Sequence, residues 1–185
     1  MLKKLPIIGV MGSSDKSWEE LALPLGELIA LHDYHLLTGA GAGVMTSVAQ
    51  GFTSVEEREG LSFGIVPTVN YQGQLLPRET YPNPYIEVPI LTPLDVKAQN
   101  DSTPYSRNFV NVMTSNALVV LPGDHGTRNE VSIAIQIKKP MILFGPKEAF
   151  TQFPQYPAHV ETIDEVREFL ESGSAKFRAD EKREE

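Results

Sequence analysis

The chain has 185 residues, with 16 Lys and Arg against 24 Asp and Glu, a formal net charge of −8 and no Cys. This length points to one domain with a single core, large enough to fold without staples. The absence of Cys excludes disulfide frameworks, thiolate nucleophiles, zinc ribbons and iron–sulfur clusters, and the acidic balance argues against general nucleic-acid binding.

The first apolar run, Pro6 to Met11, is broken by Gly9 and stopped by Gly12. It is too short for a signal core, and no later run approaches the roughly 18 apolar residues of a membrane span. The expected compartment is therefore the cytosol. Further runs are His35 to Thr38, Phe63 to Val66, Ala117 to Leu121 and Met141 to Phe144. They are continuous rather than alternating, as in strands of a parallel sheet buried on both faces.

Helical patterns lie between these runs. Ser17-Trp18-Glu19-Glu20 has the form of a capping box ahead of Leu21, Leu25, Leu28 and Ile29, although Pro24 falls inside that helix or near its start. Val44, Met45, Val48, Ala49 and Phe52 share a second face. Val131, Ala134 and Ile135 share another, and Ile163, Val166, Phe169 and Leu170 a last one. Pro104 is placed to begin a helix capped by Thr103, with Phe109, Val112 and Met113 facing inward. Strand–helix alternation predicts an α/β, Rossmann-like open parallel sheet of six or seven strands with helices on both faces.

Pro67 to Thr103 holds six prolines and three tyrosines and reads as a long irregular loop, with only Tyr85 to Val88 strand-like. Residues 1–175 form the expected domain. Residues 176–185 carry charge without apolar pattern and read as a disordered tail.

Chemistry concentrates in the turns that follow predicted strands. Gly12-Ser13-Ser14 follows the first, Gly39-Ala40-Gly41-Ala42-Gly43 the second, and Pro122-Gly123-Asp124-His125-Gly126-Thr127-Arg128-Asn129-Glu130 the Ala117 strand. In a parallel sheet these turns share the carboxyl edge, and each delivers a helix N-terminus suited to an anion. The glycine spacing in the second turn is not that of a dinucleotide fingerprint. Thr127-x-x-Glu130 reads either as a capping box or as a carboxylate one turn into a helix and aimed at the crevice. The two roles are compatible. The four dispersed His give no metal-site pattern, so no protein-ligated metal is expected.

Pro122-Gly123-x-x-Gly126-Thr127-x-x-Glu130 resembles the PGGxGTxxE motif of the LOG-like Rossmann superfamily, once described as lysine decarboxylase-like. Gly39 to Met45, Ser106-Arg107-Asn108, Asn116 to Val120 and Lys139 to Leu143 resemble the accompanying segments. The opening Pro6 to Gly12 and the single Arg107-Asn108 look most like the molybdenum cofactor carrier branch. That resemblance implies a carrier or storage protein binding a phosphorylated heterocycle, the molybdenum cofactor, at the carboxyl edge. It implies ligand contacts at Gly12, Ser13, Ser14, Gly39, Gly41, Gly43, Arg107, Gly123, Gly126, Thr127 and Glu130. It also implies a homo-oligomer, dimer or tetramer, with no nucleic acid and no membrane as partner.

The phosphoribohydrolase branch implies instead that Arg107 and Glu130 are a catalytic pair. They would cleave the N-glycosidic bond of nucleoside 5′-monophosphates, of the cytokinin-riboside or AMP type. A third reading is a nucleotide-signal sensor with the long loop as responsive element. The sequence departs from both branches at Asp124, which replaces the second glycine of PGG and adds like charge to an anion-binding turn. His125 beside it is placed to offset that charge when protonated.

Overall fold

The computed structural model describes residues 4–94, 106–154 and 157–179. The chain runs β1 (Ile7–Met11), α1 (Glu19–Leu31), β2 (His35–Thr38), α2 (Val44–Thr53), β3 (Ser62–Tyr71), β4 (Gln74–Pro77), β5 (Val88–Thr92), α3 (Arg107–Thr114), β6 (Ala117–Val120), α4 (His125–Gln136), β7 (Met141–Phe144), β8 (Ala158–Val160) and α5 (Ile163–Ala179). Strands pair in the order β5-β3-β2-β1-β6-β7-β8, all parallel. The distal half of β3 continues past the sheet and pairs antiparallel with β4, from Thr68↔Pro77 to Tyr71↔Gln74. The Rossmann-like expectation holds, with seven parallel strands and β4 as an eighth.

Both faces of the sheet are buried. Ile8, Val10, Leu36, Val119 and Phe144 pack under α1, α2 and α5 through Leu25, Ile29, Val48, Phe52, Val166 and Leu170. Met11, Leu37, Leu118, Val120 and Leu143 pack on the other side with Val112 of α3 and Val131 and Ala134 of α4. Each such side chain contributes about 1.5–3 kcal/mol on burial, and neighbours along one strand serve opposite layers. That is why the strand sequences are continuously apolar.

α1 and α2 touch backbone to backbone. A Cβ at Gly26 would collide with the Val48 carbonyl, and one at Gly51 with the Leu23 carbonyl. α1 starts at Glu19 and runs through Pro24. The capping box at Ser17 does not form, because Trp18 holds the N-cap position in a left-handed conformation (φ 45°) with no side-chain cap bond.

Other expectations are corrected. The stretch from Pro67 is not structureless, since β3 continues through it to Tyr71 and turns into β4. The strand expected at Tyr85–Val88 lies at Val88–Thr92 instead, where it pairs with Phe63–Pro67. α3 is capped by Ser106, whose Oγ accepts from the Phe109 N–H. Thr103 and Pro104 lie outside the described residues. Met113 points to solvent at 50% exposure. α5 runs to Ala179, so the first four residues of the expected tail are helical. Residues 180–185 lie outside the described residues. No described helix is long and apolar enough to cross a membrane.

Candidate functional site

From β1 the chain moves outward to β2 and β3, then returns to place β6 on the other side of β1. Strand order reverses between β1 and β6, and ligands of open α/β sheets bind beyond such a switch point. The turns expected to form a site meet there and are bonded to one another. Ser13 N–H donates to the Pro122 carbonyl (3.1 Å), and Val44 N–H donates to the Ser13 carbonyl (2.9 Å). Space between them is minimal. A Cβ at Gly43 (φ 65°) would collide with the Ser13 carbonyl, and one at Gly123 with Thr127 Oγ1.

Above this junction lies a cleft of about 300 Å³. Of the expected ligand contacts, Gly12, Ser13, Ser14, Gly39, Arg107, Gly126, Thr127 and Glu130 line it. Gly41, Gly43 and Gly123 are not among its lining residues. Gly43 and Gly123 permit the close approach of the turns. Gly41 offers its carbonyl to Asn83 Nδ2 (3.0 Å) and Thr46 Oγ1 (2.9 Å).

Beyond the expected ligand contacts, the cleft is also lined by Met45, Arg78, Tyr81, Asn108, Asn111 and Asp124. Asn111 was discoverable, because it stands four residues after Arg107 and so shares its helix face. Arg78 and Tyr81 carry no periodic signal. They reach the cleft because Arg78 N–H bonds to the Pro67 carbonyl (3.0 Å) and Asn83 N–H to the Ala40 carbonyl (2.9 Å).

Arg107, the first residue of α3, is 7% exposed. Its Nη1 donates to the Gly39 carbonyl (2.6 Å) and the Ile65 carbonyl (3.3 Å). Its guanidinium lies 5.6 Å from the Tyr81 ring centroid. Nε has no protein partner. These contacts fix one edge of the fork and leave a buried donor for a ligand oxygen.

Glu130 is also 7% exposed. Its Oε1 accepts from Asn111 Nδ2 (2.9 Å), and the Asn111 Oδ1 atom is buried without a protein partner. Loss of water raises the Glu130 pKa to about 7, against the lowering effects of the Asn111 bond and the Arg107 charge. The carboxyl therefore changes charge near neutrality, beside a permanent cation.

The capping-box reading of Thr127-x-x-Glu130 is overturned. α4 begins at His125, two residues before Thr127, which places Glu130 beyond the first turn and on the cleft side. Asp124 occupies the N-cap without a side-chain cap bond and instead accepts from Ser13 Oγ (3.4 Å). His125 is exposed and does not line the cleft. Arg128 turns away and donates to Gln152 Oε1 (3.1 Å). Among the described residues no group of His, Asp or Glu is arranged to hold a metal ion.

A switch-point cleft with an arginine on one helix and a motif glutamate on another defines a LOG-like Rossmann protein. The chain belongs to the SLOG cluster4 family, whose model matches residues 5–170. It is similar to the molybdenum cofactor carrier protein of Chlamydomonas reinhardtii, with 27% identity, a TM-score of 0.70, and 93% of this chain and 99% of that chain covered. It is likewise similar to the molybdenum cofactor binding protein of the phototrophic bacterium Rippkaea orientalis, at 27% identity and a TM-score of 0.68 over 92% of this chain and 98% of that chain. An uncharacterised protein of Archaeoglobus fulgidus is 28% identical over 151 residues, 77% of this chain and 86% of the relative.

Proposed function

We propose that this protein binds a phosphorylated heterocyclic small molecule in the switch-point cleft and carries it unchanged, and that this ligand is the molybdenum cofactor. The observation that carries the reading is Arg107: a buried guanidinium, anchored on Gly39 and Ile65, that keeps an unpaired N–H in a cleft wall. The likeness to the carrier and binding proteins from Chlamydomonas reinhardtii and Rippkaea orientalis supports it.

In this reading the backbone N–H groups of Gly126 and Thr127 in the first turn of α4, with those of Gly12 and Ser14, hold the phosphate, and Arg107 is the charged fork. Tyr81 offers a face to the ring. Glu130, when protonated, presents a donor rather than a negative charge. With no Cys in the chain, the molybdenum would be held through its own cofactor. Anaerobic titration with molybdenum cofactor should show saturable binding, and Arg107→Ala should weaken it about 30-fold or more. A wild-type protein that neither binds the cofactor nor slows its oxidation would end this reading.

A second reading is favoured by one feature, the Glu130 carboxyl that titrates at about 7 beside Arg107. Such a group suits general acid or base work in the hydrolysis of a nucleoside 5′-monophosphate. Incubation with AMP and chromatography for free base separates the two. Base that appears with the wild type and vanishes with Glu130→Gln would overturn the carrier reading.

We also propose a homo-oligomer. The exposed Val69, Tyr71, Leu75 and Leu76 of the β3–β4 hairpin, with Ile90 and Leu91 of β5, supply its apolar surface. Light scattering that gives the mass of a single chain would refute this assembly.

A further inference from the structure

A second cavity of about 340 Å³ adjoins the first. The two share Ser13 and Asp124 as common walls. Beyond this shared rim the second cavity is bounded by Asp15, Lys16, Trp18, Pro122, Gly123 and Ala149, so that Asp15 is a second carboxylate beside Lys16. The rim is a weak partition. Ser13 Oγ accepts from the N–H groups of Asp15 and Lys16 (both 3.1 Å) and makes only a long 3.4 Å bond to Asp124. Asp124 is exposed. Its carboxylate makes no side-chain cap bond to α4, and so it is an acceptor for ligand hydroxyls rather than a phosphate group's partner.

Trp18 is half-buried. It packs against the α1 side of the core and presents the rest of its surface to this cavity. The aromatic wall, the Lys16 cation and the hydroxyl acceptor together match a nucleoside with its phosphate.

We propose that the second cavity is a subsite for a nucleoside monophosphate extension of the ligand, so that the chain takes a dinucleotide form in which a diphosphate crosses the rim on its Ser13 side. The inference rests on the reading of the first cleft as a phosphorylated-heterocycle site. The heterocycle and its phosphate occupy that cleft. The added phosphate meets Lys16, the sugar hydroxyls meet Asp124, and the base stacks on Trp18.

Flavins test this with stable probes, because their ring system contains a fused pteridine. FMN carries a phosphorylated heterocycle alone, and FAD adds adenosine monophosphate to it. FAD should bind about tenfold more tightly than FMN. Calorimetry should show the FAD-to-FMN affinity ratio falling toward one in Trp18→Leu and in Lys16→Ala, and restored in Trp18→Phe.

Equal affinities in the wild type, or an affinity ratio untouched by Trp18→Leu and Lys16→Ala, would overturn the inference and leave the first-cleft reading standing. Failure of both flavins to bind, or FMN binding indifferent to Arg107→Ala, would also overturn this inference, while the titration with molybdenum cofactor decides the first-cleft reading separately.

Discussion

The two walls of the cleft are built on opposite plans. At the β1–β6 junction, backbone meets backbone, and Gly43 and Gly123 exist to leave out a Cβ. On the opposite side, the segment from Arg78 to Asn83 is held off the sheet by hydrogen bonds, two of which come from Asn83 to the Ala40 and Gly41 carbonyls. The first wall tolerates no added atom. The second tolerates change in shape but depends on one amide. An anion turn therefore has a rigid, glycine-defined half, and the aromatic and second arginine face it from a half that is tied on.

The strongest way to break this contrast is Gly43→Ala. The new Cβ would strain a left-handed backbone and strike the Ser13 carbonyl, so the loss should be about 3–5 kcal/mol in urea unfolding. A loss under about 1 kcal/mol would show that the junction can open.

Next is Glu130, on the helix that rises from that junction. Its folded pKa is raised to about 7, so between the ordinary carboxylate range and about pH 7 the folded protein binds its proton more tightly than the unfolded chain. Stability is then fullest at about pH 4.5 and falls as pH rises to about 7, by about 3 kcal/mol from this group. Glu130→Gln should flatten that slope. Parallel pH profiles of wild type and variant would place the proton elsewhere.

Asn83→Ala should cost less, about 0.5–1.5 kcal/mol, because it removes one of two donors to the Gly41 carbonyl, which keeps Thr46 Oγ1, and adds no strain. It should also weaken ligand binding through displacement of Tyr81 and Arg78, as calorimetry would register. Smallest is Gly126→Ala. A Cβ there meets nothing within 4 Å, and α4 already covers the position. Stability should rise by up to about 0.5 kcal/mol, in contrast to the other motif glycines. A loss comparable to that at Gly43 would erase the distinction between packing glycines and open ones.

The sheet was legible because its strands are buried twice. Ile8 and Val10 face one layer while Met11 faces the other, so no polar residue interrupts the run. β4 and the distal half of β3 were not legible, for the converse reason. Val69, Tyr71, Leu75 and Leu76 are exposed, and Pro67 inside β3 imitates a breaker. β8 is three residues long and only partly buried, below what any period can register.

In the site, Arg107 and Glu130 came from the motif and do line one cleft. At Gly43 and Gly123 the missing side chain makes room for a neighbouring turn, a role that residue type alone does not distinguish from a ligand contact. The cap of α3 is Ser106, whose hydroxyl accepts from the Phe109 N–H three residues on, a spacing that Thr103 does not have to that residue in sequence. Arg78 and Tyr81 had no local pattern, since distant carbonyls at Pro67 and Ala40 put their segment in place.

The titration of Glu130 has a further consequence, for calorimetry. Near pH 7 that carboxyl is about half protonated in the empty protein. An anion seated beside it favours the neutral form, so binding draws up to about half a proton from the medium. The measured heat will then vary with the ionisation enthalpy of the buffer. Titrations in PIPES and in Tris should differ for the wild type and agree for Glu130→Gln.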